Sequence, residues 1–280
     1  MKANSLSINV PFVGCNKRCP YCVSNMTGKV QQSNGIDIEN FYRKLKKAKT
    51  VANHAQVNSI ILTGKGEPLL NQDAISKVCG MFSEFPVEIQ TNGKLLENTN
   101  VVDLLYKYGV DAVAISIDSR KQLDKLRDAI KYIRLIGNMT IRLTVNLVND
   151  IMDNFTAESF IDYVRKIGVH QVSFREITVP SYAVETEESI KTQEWIKNNV
   201  SDKKFLQFMK GYNKLIKRKG VFIQSLPFGV SIYMIDKVSC TYFDYCIQDN
   251  NKGDDIRSLI YWEDGHMSCS WMGSNWGRIF

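Results

Sequence analysis

Short β-branched runs and amphipathic helical stripes take turns along residues 6–177 of this 280-residue chain. Leu6–Val13 is apolar and reads as the first strand. Ile38, Phe41, Tyr42, Leu45, Ala48 and Ala52 then recur at helical spacing, with lysines on the opposite face. The pair of signals repeats as Val57–Thr63 with Ala74–Phe82, Val87–Gln90 with Val101–Tyr108, and Ala112–Ile117 with the stripe Leu123, Leu126, Ile130, Ile133 and Ile136. Thr140–Val148 is followed by the stripe Phe160, Ile161, Val164 and Ile167, and Gln171–Ile177 is the sixth strand. Gly109, Gly137 and Gly168 stand where helices should stop. Such alternation with short loops predicts a parallel sheet with right-handed crossovers. Ligands of such sheets sit at the carboxyl ends of the strands.

The pattern changes after Ile177. Pro180–Asn199 is polar and acidic at first, with Glu185, Glu187 and Glu188, and reads as a loop or lid. Phe205, Phe208, Met209, Tyr212, Leu215 and Ile216 form one more helical stripe. Beyond it the segments are short and strand-like, and Asp264-Gly265 is a hairpin turn signal. The expected division is a barrel over residues 1–219 and a small β-rich module over residues 220–280.

The formal charge of +7 does not by itself demand nucleic acid. No apolar run approaches the length of a membrane span. The first residues show no apolar signal-peptide core, so a cytoplasmic location is expected. Seven cysteines are an odd number, which speaks against a closed disulfide framework and for metal or catalysis.

Cys15-Asn-Lys-Arg-Cys19-Pro-Tyr-Cys22 has the spacing C-x3-C-x2-C, on a loop at the carboxyl end of the first strand. Three thiolates on one loop can hold three irons of a [4Fe–4S] cluster and leave the fourth open. The alternatives are a zinc knuckle completed from afar, or unrelated thiols. With Tyr21 before the last cysteine, the motif resembles the cluster loop of the radical S-adenosylmethionine (SAM) superfamily, in particular the subgroup around the molybdenum-cofactor cyclase and the Twitch-SPASM enzymes. The resemblance implies a partial (β/α)6 TIM-like barrel and SAM bound at the open iron. It implies an enzyme that cleaves SAM reductively to a 5′-deoxyadenosyl radical, which takes hydrogen from a substrate.

Thr63-Gly-Lys-Gly-Glu-Pro68, ending the second strand, resembles the family's Gly-Gly-Glu-Pro motif, with Lys65 standing in place of the first glycine. Gly66 lets the backbone approach a ligand, and Glu67 can accept from SAM's ammonium or fix the loop. Asn92 after the third strand and Ser116 in the fourth resemble segments found near SAM. Asn146, which interrupts the fifth strand, and Arg175, at the end of the sixth, are candidates for SAM or substrate contact. Each also has an ordinary reading, as turn chemistry or a salt bridge closing the barrel. No catalytic acid or base stands out.

Cys240, Cys246 and Cys269 resemble the cysteines flanking the hairpin of a Twitch-type extension, which holds a second [4Fe–4S] cluster. A Cys3His zinc site with His266, or simple packing, are the alternatives. Cys79 lies on a helical core stripe and reads as packing, and His54 and His170 show no ligand spacing. Arg43, Lys44, Lys46, Lys47 and Lys49 read as a solvated helix face. Trp271, Trp276 and Phe280 pack the core or line the barrel mouth.

The expected substrate is a peptide modified by radical chemistry, or a small molecule. A cofactor-forming nucleotide cyclase, an activase of glycyl-radical enzymes, and a non-catalytic iron–sulfur or zinc RNA-binding module are the alternatives. The chain ends Trp276-Gly-Arg-Ile-Phe280 instead of in the cyclase's Gly-Gly tail, which weakens that assignment. The expected partners are SAM, the substrate and a low-potential electron donor of flavodoxin or ferredoxin type. No membrane and no nucleic acid are expected.

Overall fold

Runs of isoleucine, valine and leucine that alternate with helical stripes pair edge to edge in the computed structural model, which describes residues 2–27, 36–226, 229–244, 255–271 and 277–280. The elements are β1 (Lys2–Asn9), α1 (Val23–Met26), α2 (Ile38–His54), β2 (Ser59–Thr63), α3 (Gln72–Met81), β3 (Val87–Thr91), α4 (Thr99–Lys107), β4 (Ala112–Ile117), α5 (Arg120–Ile136) and β5 (Thr140–Asn146). They continue as α6 (Asn149–Asn154), α7 (Ala157–Ile167), β6 (Gln171–Arg175), α8 (Glu187–Asn199), α9 (Asp202–Lys219), β7 (Val221–Ser225), β8 (Ser231–Ile235), β9 (Val238–Phe243), β10 (Asp255–Tyr261) and β11 (Met267–Ser268).

One 11-stranded sheet has the order β11-β10-β1-β2-β3-β4-β5-β6-β9-β8-β7. From β10 through β1–β6 to β9 every neighbouring pair is parallel. Only β11 and β7–β8 are antiparallel additions at the ends. The fold is the expected α/β one, a partial TIM-like barrel.

Side-chain direction follows the two-residue period of a strand. Outward residues such as Ile8, Leu62, Ile89, Ile115, Leu143 and Phe174 are fully buried. Phe174 meets Phe208 and Tyr212 of α9 edge-on, at 5.3 Å in both cases. The alternate residues turn inward and are polar: Ser5, Ser7 and Ser258 bond one another, and Arg142 pairs with Glu88.

Local chemistry sets the helix ends. The Asp37 side chain accepts from the Asn40 N–H to start α2. Thr156 and Ser159 form a capping box at α7. Gly137 and Gly168, at φ of 91° and 96°, end α5 and α7.

Several boundaries differ from expectation. The first strand covers residues 2–9 and not 6–13, because Pro11 has no N–H for the ladder; Val13 is 63% exposed. Val57 precedes β2, since its N–H closes the end of α2 on the Ala52 carbonyl. The acidic stretch read as a loop or lid contains α8: Thr186 accepts from the Ser189 N–H, and Glu187 and Glu188 suit the positive end of a helix. The residues beyond 220 are β-rich, as expected, but they join the barrel sheet at both edges and form no separate sheet. The hairpin turn at Asp264-Gly265 joins β10 to β11. No helix of the described residues is long and apolar enough to cross a membrane.

Candidate active site

The cysteine loop leaves the carboxyl end of β1. Cys22 is the N-cap of α1, and its N–H donates to the Cys19 carbonyl at 3.1 Å. Cys15 is exposed, whereas Cys19 and Cys22 are partly buried. Burial pushes the Cys19 thiol up to about 11 and raises Cys15 as well. The Asn92 amide lies 3.9 Å from Cys15 Sγ and donates to Asn16 Oδ1 at 2.8 Å.

Gly66 and Glu67 lock the base of this loop. The Glu67 N–H donates to the Gly14 carbonyl at 3.0 Å. A Cβ on Gly66 would overlap that same carbonyl and lie 2.6 Å from Phe12 Cε2, so no side chain fits there. The Glu67 carboxylate is 4% exposed. It accepts from Thr91 Oγ1 at 2.7 Å and from the N–H groups of Asn92 at 2.8 Å and Leu69 at 3.1 Å. Of the two roles open to it from sequence, the geometry displays the loop-fixing one. Burial raises its pKa and these three bonds oppose the rise.

A second network closes the opposite side of the loop. Tyr21 Oη donates to Asp118 at 2.6 Å and accepts from the Asn146 amide at 3.3 Å. Lys17 Nζ donates to the same Asp118 oxygen at 2.7 Å. Gln122 accepts from Lys17 at 3.2 Å and from the Asp118 N–H at 3.1 Å. Its amide donates to the carbonyls of Ser116 and Asn92 at 2.7 and 2.9 Å. Thus Tyr21, Asn92, Ser116 and Asn146, expected near SAM, all lie at this end of the barrel. Lys17, Asp118 and Gln122 were not singled out from sequence. Lys17 sits between the first two cysteines and Asp118 two residues after Ser116, but Gln122 opens a helix and carries no motif signal.

Arg175, on the inner face of β6, has its guanidinium carbon 5.6 Å from the Phe243 ring centroid. The Ser173 hydroxyl, also inward, is buried with no hydrogen-bond partner. Helix α8 covers the cysteine loop: Trp195 meets Tyr21 at 5.5 Å and Thr192 accepts from the Asn25 amide at 3.4 Å.

Of the second set of cysteines, Cys240 and Cys269 are described, and they lie toward opposite ends of the sheet order. Cys240 is fully buried on β9. It pairs in register with outward-facing Val172 and so points into the layer under α9, beside Tyr212. Cys269 follows β11 at the other end of the sheet, its Sγ where a Cβ on Gly277 would fall. Cys246 and Trp276 lie outside the described residues. Cys240 is buried in that layer, and among the described residues it forms no metal-binding group with Cys269 or His266. Cys79, 2% exposed, is packing as expected.

Three sulfur donors on one loop fit a [4Fe–4S] cluster better than a zinc ion, which takes four protein ligands in structural sites. Among the described residues no three His, Cys, Asp or Glu side chains converge at metal-binding distance. The fit therefore lies in donor type and placement.

The class these observations define is an α/β partial barrel that carries a three-cysteine loop at the mouth of β1. Residues 9–191 match the model of the Radical SAM superfamily, and the chain belongs to that family. It is an enzyme of the radical SAM class, whose cofactors are a [4Fe–4S] cluster and SAM. It is 30% identical over 178 residues to GTP 3′,8-cyclase of Clostridium acetobutylicum, covering 58% of this chain and 53% of the cyclase. It is 31% identical over 121 residues to a putative glycyl-radical enzyme activating enzyme of Methanocaldococcus jannaschii, covering 42% and 45%. The chain thus spans about half the length of these curated relatives. Among solved structures, Streptococcus suis SuiB bound to SAM superposes with a TM-score of 0.61 at 11% identity, over 99% of this chain and 63% of SuiB.

Proposed function

We propose that Cys15, Cys19 and Cys22 hold the cluster, and that SAM binds over it between the Lys65–Glu67 loop and the ends of β3–β6. When bound, the cluster and SAM would supply one-electron reductive cleavage of SAM and, through it, hydrogen-atom abstraction from a substrate. The chain's own residues position and enclose. Gly66 lets its loop lie against Gly14, and Glu67 fastens that loop to Gly14 and to the end of β3. The Tyr21–Asp118–Lys17 network holds the far side of the cysteine loop, next to Asn146 and Ser116. Trp195 of α8 packs against Tyr21 there.

The substrate we infer is a peptide. The observation that carries this is the superposition on SuiB over nearly the whole chain, β7–β11 included; one SuiB structure holds its precursor peptide. The cyclase relationship covers only 58% of the chain. Its 30% identity favours a second reading, a small-molecule cyclisation. A flavodoxin- or ferredoxin-type protein would deliver the electron in either case.

The test is anaerobic reconstitution with iron and sulfide analysis. Wild type should hold about four irons per chain, the content of one cubane. The Cys15/Cys19/Cys22→Ala variant should hold none and make no 5′-deoxyadenosine. Deuterium transfer to 5′-deoxyadenosine from labelled peptides, and not from labelled GTP, would support the peptide reading. The reverse would replace it by the second. Cleavage of SAM by the triple variant would end both.

A further inference from the structure

The hairpin after β10 carries a buried carboxylate that the site described above does not use. Glu263 is 5% exposed. Its Oε2 accepts from the Phe12 N–H at 3.1 Å, while Oε1 is buried with no hydrogen-bond partner. Burial raises Glu263, and the Phe12 N–H first and Lys65 second draw it back toward the charged form. Burial lowers Lys65, and Glu263 draws it back in turn. Lys65 Nζ also lies 5.8 Å from the Trp262 ring centroid.

The hairpin holds this carboxylate in place. The Trp262 N–H donates to the His266 carbonyl, and the Gly265 N–H to the Trp262 carbonyl, both at 2.9 Å. Trp262 stacks on His266 and donates from Nε1 to Ser268 Oγ at 2.8 Å.

Both things that Glu263 faces belong to the loops proposed to bind the cofactors. Phe12 lies in the run from β1 to Cys15, and its ring lies where a Cβ on Gly66 would fall. The Lys65 carbonyl accepts from Ser24 Oγ at 3.1 Å, next to Cys22. Lys65 stands where the family motif carries glycine. Lys65 is partly buried there, and Glu263 is an acid whose charge acts on it.

We propose that Glu263 is a positioning residue for the SAM loop: it clamps Phe12 and balances Lys65, so that the C-terminal hairpin completes the site at the mouth of β1 and β2. This rests on the reading of the Lys65–Glu67 loop as the SAM loop. Glu263 touches no reacting atom; it acts through Phe12 and Lys65.

The experiment uses the reconstituted full chain with Glu263→Gln, Lys65→Met and the double variant. SAM affinity is measured by anaerobic calorimetry, and hydrogen exchange is followed over residues 10–24. Each single variant should weaken SAM by about tenfold or more, the usual effect of losing a support behind a ligating group. Exchange over 10–24 should quicken while iron content stays at that of wild type. The double variant should regain most of the lost affinity, because two coupled charges are then removed together. A merely structural role predicts lower melting temperature and iron content, with no such rescue. Wild-type affinity and exchange in Glu263→Gln, or purely additive losses in the double variant, would overturn the proposal. A wild type that holds iron but binds no SAM would instead bring down the loop assignment and, with it, this inference.

Discussion

His170 shows how one side chain away from the site makes stability depend on pH. Its Nδ1 accepts from the Ile141 N–H at 2.9 Å, and its Nε2 lies against the Arg134 guanidinium. Burial first, and Arg134 second, hold its pKa below 6.5. The folded ring therefore binds its proton less readily than the unfolded one. Its stabilising effect is complete above pH 6.5 and is lost as pH falls through the lower native value. Unfolding midpoints should drop on moving from neutral to mildly acidic pH, and His170→Phe should flatten that part of the curve. A wild-type slope retained in the variant would place the titrating group elsewhere. At this scale the sequence displayed the cysteines, because C-x3-C-x2-C is a spacing few other uses demand. It left the role of Glu67 open, because a motif names a residue and not its partners. Lys17, Asp118 and Gln122 escaped because they meet only when the loop after the first strand reaches the end of the fourth, with two strands in between.

The elements were legible wherever a period ran its full length. The stripe from Leu123 to Ile136 and the glycine after it became α5 with its stop at Gly137. The short α6 offers too few residues to display a period, and α8 was hidden by an acidic start that is a helix-opening signal. That helix matters to the site. Trp195 lies on Tyr21, and the Val184 N–H, just before α8, donates to the Met26 carbonyl at 2.7 Å. Trp195→Ala should remove about 2 kcal/mol of packing, roughly half the effect at a fully buried aromatic. The loss falls on the cover of the cysteine loop. The reconstituted variant should bleach faster than wild type when a chelator is added, while its far-UV spectrum stays unchanged. Equal bleaching rates would mean that α8 does not guard the loop.

At the scale of the whole molecule, the strands after residue 220 cover the two edges of the sheet built by β1–β6. β10 lies parallel to β1 from Lys2 to Ile8, and β9 lies parallel to β6 from Gln171 to Arg175. Without them, both β1 and β6 would present unpaired backbone, and Ser5 and Ser7 would lose the Ser258 hydroxyl that joins them. Phe41, a fully buried residue of α2, would lose Tyr261, whose hydroxyl donates to the Phe41 carbonyl at 2.6 Å. The sequence pattern could not show this. A shift from long to short β-rich segments looks like a domain boundary, whereas the register reveals strands that return to pair with the first and sixth. A chain cut to residues 1–219 should therefore fail to give a cooperative unfolding transition and should aggregate through its two open edges. Urea unfolding of the soluble fraction, followed by circular dichroism, checks this. A sharp transition from the truncated chain would mean that the barrel closes on its own and that residues 220–280 are an addition to it. Loss of the transition would mean that the cysteine loop, the Lys65–Glu67 loop and the hairpin stand or fall as one folding unit.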